Sequence, residues 1–434
     1  MARHMKQSGV DWLGDIPDDW KIRPLKGVAE RIIVGLATSV TQYYRNAGTP
    51  IFRNLNIKDD ELVDDNIFYL DEEWASLQSG KMIKSGDILT VHTGYIGISC
   101  IVPEKYDGAL TFTTLITTPR KEIINTRFLM RYINVSRFYS PIYFNVETGA
   151  QNNLNTKAFV NLEVTVPPID EQERIAAYLD DKCGRINSVI AKTVAAVAEY
   201  KKLKQAIITR AVTRGIRPNR TLKHSGIDWL GDIPDHWNVS KIKYLFSIIG
   251  GNGFPEMLQG NTVGDYPFCK VSDINGAADY VDTASNWVTQ SIVDDNRFNV
   301  IPTGSILMAK IGAALTKNHR KINTVQCCID NNTQALVPRR DDDIRYLFYL
   351  SKCIDMSWFD NNSTVPSVNN TKLLNFFVTV PPIDEQREIA AYLDEKTAAI
   401  DSLVAKKNQL VAELERLKKS LIFEYVTGKK EVAQ

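Results

Sequence analysis

Several basic, amide and aromatic side chains gather locally in this chain, of the types that can form paired hydrogen bonds. Arg, Lys, Asn, Gln and hydroxyl groups on a rigid scaffold form paired hydrogen bonds with base edges. Arg45 and Arg53 flank a loop near Tyr43 and Tyr44. His92 and Tyr95 lie in the turn after the strand-like GDIL, and Asn152, Asn153 and Asn155 follow further on. Lys310 closes a second such strand. Lys317, His319, Arg320 and Lys321 fall between two apolar runs, where a loop is expected, and Asn369 and Asn370 come later. Each of these, taken singly, has a bland alternative as solvated surface.

Bond-making constellations are not recognisable. No GxxxxGK followed by Ser or Thr is present, and the GGNG starting at Gly250 lacks the lysine and helix start of a phosphate cradle. No Asp/Asn-Pro-Pro-Tyr/Phe sequence for amino-group methylation occurs. HExxH, GxSxG and a Ser–His–Asp ordering are equally unrecognisable. The six cysteines, Cys100, Cys183, Cys269, Cys327, Cys328 and Cys353, have no CxxC spacing and no histidine cluster beside them. A structural zinc needs four converging soft ligands. Buried thiols in strands are the expectation, with no catalytic residue and no metal.

What positions the candidate readers is a unit written twice. SGVDWLGDIPDDWKI begins at Ser8 and SGIDWLGDIPDHWNV at Ser225, an offset of 217. VTVPPIDEQERIAAYLD from Val164 returns as VTVPPIDEQREIAAYLD from Val378, an offset of 214. The centres, about 24–150 and 241–365, share little identity, although their order of strand-like runs followed by a helix is the same. Gly86-Asp87-Ile88-Leu89 and Gly304-Ser305-Ile306-Leu307 mark equivalent strands, each followed by a turn containing Gly97 or Gly312. Copied ends around different centres describe one scaffold carrying two readers. A solenoid would use shorter and more numerous units.

After each Pro-Pro pair, an Asp and acidic residues open a helix. Steps of four and three select Ile175, Leu179, Lys182, Ile186, Val189, Thr193, Ala196, Tyr200, Leu203 and Ile207. The second copy gives Ile389, Leu393, Lys396, Ile400, Leu403, Lys407, Leu410, Leu414, Leu417 and Leu421. A 3.5-residue repeat held this long predicts two helices of about 40 residues joined as a coiled coil. Separate amphipathic packing of each helix on its own domain is the alternative. The repeated Trp12, Asp15, Trp20, Glu171 and Gln172, with Trp229, Asp232, Trp237, Glu385 and Gln386, are candidate partner-binding residues. Core packing at a domain edge is the other reading of the tryptophans.

The chain has 434 residues, 44% apolar and 24% charged, with a net charge of +1. That length gives several folding units, and the apolar fraction excludes a disordered chain. No apolar run is long enough to span a membrane, no secretion signal is evident, and a cytoplasmic protein is expected. Met5 is compatible with the first few residues being an added scar. The near-neutral total conceals contrast. Residues 8–166 carry 16 basic and 19 acidic groups, and 225–380 carry 13 and 16, so each is at −3. Residues 167–224 carry 12 and 6, giving +6. That basic helix end is either merely solvated or a phosphate contact.

Two copies of WLGDIPxxW, and two of PPIDEQxxIAAYLD running into long heptad helices, resemble the specificity subunit of a type I restriction-modification system. The resemblance covers Ser8 to Gly428, with Asn155 and Asn161 matched by Asn369 and Asn375. It implies α/β (α+β) target-recognition domains in two copies at 8–166 and 225–380. Long helices at 167–214 and 381–428, with a linker at 215–224, would separate them as an antiparallel coiled coil with pseudo-twofold symmetry. Each domain would read one half of a bipartite, asymmetric site in double-stranded DNA. The helices would set the spacer and dock two modification (methyltransferase) subunits, which restriction subunits then join. S-adenosylmethionine and ATP with Mg would be used by those partners, in a bacterial or archaeal cytoplasm. The competing reading is a non-catalytic two-domain scaffold for a partner other than DNA.

Overall fold

In the computed structural model, residues 3–144, 153–276, 278–361 and 364–432 are described. The chain divides into two compact units. The first runs to Val194 and is completed by Gln409 onward; the second is Ala195–Asn408. Both divisions fall inside a long helix, so each unit contains one repeat centre and a stretch of both helices.

The two units use the same strand order. In the first, an antiparallel sheet runs Ser99–Ile101, Ile88–Val91, Thr114–Pro119, Ala29–Val34. In the second, Arg320–Asn323, Ile306–Ala309, Thr333–Pro338 and Phe246–Gly250 repeat that order, with Tyr280–Val281 added at the edge. A smaller sheet accompanies each. It pairs Thr49–Phe52 in parallel with Leu110–Thr111, and Tyr266–Cys269 in parallel with Cys328–Ile329. Val, Ile, Leu and Thr fill these strands because branched chains pack well on a pleated, half-buried surface. The GDIL and GSIL segments occupy matching central strands, after glycines at φ +87° and +78°.

A helix follows each sheet, Thr126–Ser136 and Ile344–Lys352, N-capped by the side chains of Asn125 and Asp343. The candidate readers Asn155 and Asn369 also prove to be N-caps, accepting from the amides of Ala158 and Lys372 at 3.0 Å. The six thiols are buried. Cys183 and Cys353 belong to a helix and a helix end rather than to strands.

The long helices span Ile169–Arg214 and Ile383–Val426, 46 and 44 residues. At 1.5 Å per residue each is about 65–70 Å long. They end at Gly215 and shortly before Gly428, at φ +73° and +74°. A Cβ at Gly215 would sit 3.2 Å from the Trp237 ring, and one at Gly428 would sit 2.3 Å from Pro17 and 3.2 Å from Trp20. Glycine is required at these two stops by both conformation and space.

Within each unit the helices run antiparallel. In the first, the hydroxyls of Tyr178 and Tyr425 meet at 3.2 Å. In the second, Lys204 Nζ pairs with Asp401 at 2.6 Å, and Lys407 lies over the Tyr200 ring.

The packed seam differs from the expected stripe by one residue at alternate positions. The less exposed positions are Leu179, Cys183, Ile186, Ile190, Thr193, Val197, Tyr200 and Lys204 on the first helix. On the second they are Leu393, Thr397, Ile400, Val404, Lys407, Val411, Leu414, Lys418 and Leu421. Ile175, Ile207 and Ile389 extend the packed surface as expected. Val189, Leu203, Leu403, Leu410 and Leu417, expected in the seam, are 41–54% exposed, while Lys182, Ala196 and Lys396 are half-buried. The cause is a heptad ambiguity. Steps of three-then-four and four-then-three from Leu179 both repeat every seven residues. At Lys204, Val404, Val411 and Lys418 the seam takes the branched or polar residue, while the larger leucine before it flanks the seam.

Candidate nucleic-acid interface

The base-reading candidates of the first unit converge at one corner, where the ends of its two sheets meet. Strand Thr49–Phe52 delivers Arg53, which caps the short turn Asn54–Asn56. The Arg53 guanidinium lies 4.2 Å from the Phe68 ring centroid and donates to the Asn66 carbonyl at 3.0 Å. Phe68 stacks on Tyr44, and Tyr43 stacks on Trp74. Arg45 is exposed and pairs with Asp71 at 3.2 Å.

Asn54 ties this arm to the other sheet by donating to the Thr93 carbonyl at 3.1 Å. Thr93 forms an antiparallel bridge with Asn153, and the Leu154 amide donates to the His92 carbonyl at 2.8 Å. His92, Tyr95 and Asn153 are therefore brought beside Arg53 and Asn54. Tyr95 is 83% exposed, between Gly94 and Gly97 at positive φ. Burial lowers the His92 pKa against the opposing effect of its backbone hydrogen bond. Asn152 lies outside the described residues.

The second unit builds the same corner with other side chains. Lys310 follows the central strand Ile306–Ala309. Its amide donates to the Asn332 carbonyl and its carbonyl accepts from the Val368 amide, both at 2.9 Å. Ile311 bridges Ser367 as Thr93 bridges Asn153. Lys270 caps the turn after Tyr266–Cys269, the place Arg53 takes in the first unit. Lys270 Nζ donates to Gln259 at 2.8 Å and lies over the Phe254 ring at 5.2 Å. Asn370 Nδ2 donates to Gln334 Oε1 at 3.0 Å, while Asn370 Oδ1 is buried with no hydrogen-bond partner.

Asn54, Lys270 and Gln334 were not singled out from the sequence. The signal for Lys270 was present, since YPFCK aligns with TPIFR once the repeat offset of 217 is applied.

Lys317 is exposed at the end of a short 3-10 turn, and the expected loop runs on only as far as His319. Arg320 and Lys321 are strand residues, only 4% and 8% exposed. Arg320 donates to the His319 carbonyl and to Asn318 Oδ1, and burial brings its pKa down to about 10. A guanidinium so enclosed braces its strand and is not presented to a ligand. The His319 pKa is lowered by burial first and then by Lys317 and Arg320.

Six of the candidate partner residues are internal instead. Trp20 is fully buried and its indole donates to Glu171 Oε2 at 2.9 Å. Arg3 donates to Glu171 and Asp19. Trp237 and Arg220 repeat this on Glu385 at 3.0 and 2.5 Å, joined by His236 at 2.7 Å. Arg3 is thus the counterpart of Arg220, and the repeated architecture reaches back beyond Met5. Burial alone would raise the Glu385 pKa, but hydrogen bonds from Arg220, His236 and Trp237 outweigh it and hold the carboxyl at about 2. Gln172 accepts from the Asn125 amide at 2.7 Å and donates to the carbonyls of Ile123 and Pro167. Gln386 accepts from the Asp343 amide at 2.9 Å and donates to Asp342 and the Pro381 carbonyl. The repeated Glu-Gln pair therefore fastens each centre to its long helix. Trp12 packs half-buried against Tyr132, and Trp229 donates to the Phe377 carbonyl and stacks on Phe376. Asp15 and Asp232 remain exposed.

Among the described residues, no group of three His, Cys, Asp or Glu side chains is arranged to hold a metal ion. No helix among them is long and apolar enough to cross a membrane.

Comparison with known proteins places this geometry. The family model described as "Type I restriction modification DNA specificity domain" matches residues 17–193 and again 234–412. The chain assigned as the MjaX type I restriction enzyme specificity subunit of Methanocaldococcus jannaschii is 24% identical, over 96% of this chain and 95% of its own length. The MjaVIII specificity subunit of the same organism is 23% identical over 80% of each chain. A chain from a solved type I R-M system, studied for complex assembly and conformational transition, shares the fold. Its TM-score is 0.70 at 19% identity, covering 96% of this chain and 99% of that one. With two matched domains covering most of its length, this chain belongs to the type I restriction-modification DNA specificity family.

Proposed function

We propose that the two units read the two halves of a bipartite, asymmetric site in double-stranded DNA. One observation carries this reading: the same corner of the same fold holds different side chains in the two units. Arg53, His92, Tyr95 and Asn153 stand where Lys270, Lys310, Ala313 and Ser367 stand in the second. Two scaffolds alike in strand order but unlike at the reading corner suit two half-sites of different sequence.

The chain acts without catalysis of its own, in a bacterial or archaeal cytoplasm. Two modification subunits supply S-adenosylmethionine-dependent methylation, and restriction subunits supply ATP- and Mg-dependent translocation and cleavage. The exposed Val189, Val194, Leu410 and Leu417 of the first unit, and Leu203 and Leu403 of the second, give apolar helix faces on which modification subunits dock.

Sequencing the bases methylated by the assembled complex tests the reading. Two defined blocks separated by a fixed gap are expected; one continuous block would sink it. Tight duplex binding should weaken steeply with salt. Salt-insensitive or absent binding would favour a scaffold for a partner other than DNA.

A further inference from the structure

Each unit contains a clasp of charged side chains between its reading domain and its long helix. In the first, Arg131, 5% exposed on the helix Thr126–Ser136, forks between two carboxylates. It donates to Asp60 Oδ2 at 2.9 Å and to Asp180 Oδ1 at 2.9 Å. Asp180 is on the first long helix, and Asp60 is on a loop of the reading domain. Asn134 donates to Asp60 at 3.3 Å, and Lys418 of the second long helix lies 3.6 Å from it. Asp60 adopts φ +70° in the tight turn between the paired strands Ile57–Lys58 and Glu61–Leu62, a left-handed conformation that Asp tolerates. The turn presents its carboxylate to the clasp.

The second unit achieves the same bridge from a different position. Arg345 donates to Asp394 at 3.1 Å through Nε and to Asp279 at 3.2 Å. Tyr349 adds a hydrogen bond to Asp394 at 2.7 Å, and Lys352 one to Asp279 at 2.8 Å. Arg131 lies six residues after its N-cap Asn125, whereas Arg345 lies two after Asp343. Those positions are one helical turn apart on one face. The helix aspartate is copied in both repeats as the last residue of IAAYLD. The arginine and the loop aspartate come from the centres that differ. Two unlike domains have therefore reached the same fixed carboxylate by different routes.

Resting on the two-half reading above, we propose that Asp180 and Asp394 are positioning residues that set the angle of each reading domain on its helix. They thereby fix the number of unread base pairs the protein accepts. A guanidinium shared by two carboxylates has a single narrow geometry, unlike an apolar contact that slides. Removing one carboxylate frees the domain to rock while its base-reading corner stays intact.

The test uses the full chain assembled with its modification subunits. Methylation is measured across duplexes that keep both blocks and vary the gap by one base pair either way. For Asp180→Asn and for Asp394→Asn, the preference for the native gap over its neighbours should fall about tenfold, with base identities in both blocks unchanged. Asp180→Glu keeps the charge and moves it by one methylene; it should shift the same ratio even if the asparagine variant folds poorly. An unchanged ratio with only lower stability or lower total activity overturns the proposal, because that is what a merely structural pair would give. A wild-type site without two blocks would overturn the underlying reading and the proposal together.

Discussion

Trp237 Nε1 donates to Glu385 Oε2 at 3.0 Å, and Trp20 does the same to Glu171 at 2.9 Å. Each indole is fully buried and lies against the glycine that stops a long helix. Replacing either tryptophan by alanine should cost about 3–5 kcal/mol, from lost burial and the cavity left behind. Chemical denaturation of the two variants checks this, and a loss below about 1 kcal/mol would contradict the anchoring role.

The second of these carboxylates also gives stability a pH signature. Glu385 is held at about 2 in the folded chain, against 4.5 for the unperturbed group. The native state therefore binds fewer protons. The stabilisation is complete above about 4.5 and is lost as pH falls toward 2. Glu385→Gln should lower stability at neutral pH and flatten its fall across that window. Melting curves from pH 7 to pH 3 should show the two proteins converging as the pH drops.

The helix seam separates two kinds of apolar residue. Val197→Ala should cost about 1–2 kcal/mol, because that side chain is 8% exposed. Leu203→Ala, at 49% exposure, should change the stability of the chain by less than about 0.5 kcal/mol. Leu203→Ala should instead weaken association with modification subunits. Thermal melts combined with titration by the purified partner would detect the reverse pattern if the expected stripe were the packed one.

Arg53 and Arg320 should behave oppositely on DNA. Arg53→Ala should weaken duplex binding by about 1–3 kcal/mol and relax the choice of base within one block. Arg320→Ala should destabilise the second unit, because the guanidinium is enclosed, while the bases preferred by the folded fraction stay the same. Binding to duplexes substituted one position at a time distinguishes them.

The repeat, the shared succession of strands and then a helix in each centre, and the long helices were legible because each is written in local pattern: a copied motif, β-branched runs, a seven-residue period. The phase of that period was not. Leu203 and Lys204, or Leu410 and Val411, compete for one seam position, and apolar size favours the wrong member. Arg320 looked like a loop residue because charge ordinarily marks surface, and its enclosure depends on Asn318 and the His319 carbonyl. Glu171 and Gln172 looked like a partner surface for the same reason. Their ligands, Arg3, Trp20 and the Asn125 amide, lie far from them in sequence. Of the reading corner, Arg53, His92, Tyr95 and Asn153 were visible as types. Their convergence depends on Asn54, whose bond to Thr93 spans 39 residues.

The first unit is discontinuous, and synthesis order gives that a meaning. Its core includes Ile422, Tyr425 and Val426, and Thr165 Oγ1 donates to the Val426 carbonyl at 2.6 Å. In the second unit the matching bond runs from Thr379 back to the Val212 carbonyl, which was made earlier. On the ribosome, the domain that emerges first must therefore wait for the tail of the chain before it can close, while the later domain finds its partner helix already waiting. A premature stop in the last 25 or so residues would then spare the second domain and leave the first incomplete. The N-terminal reader is therefore finished only once the last long helix has been made.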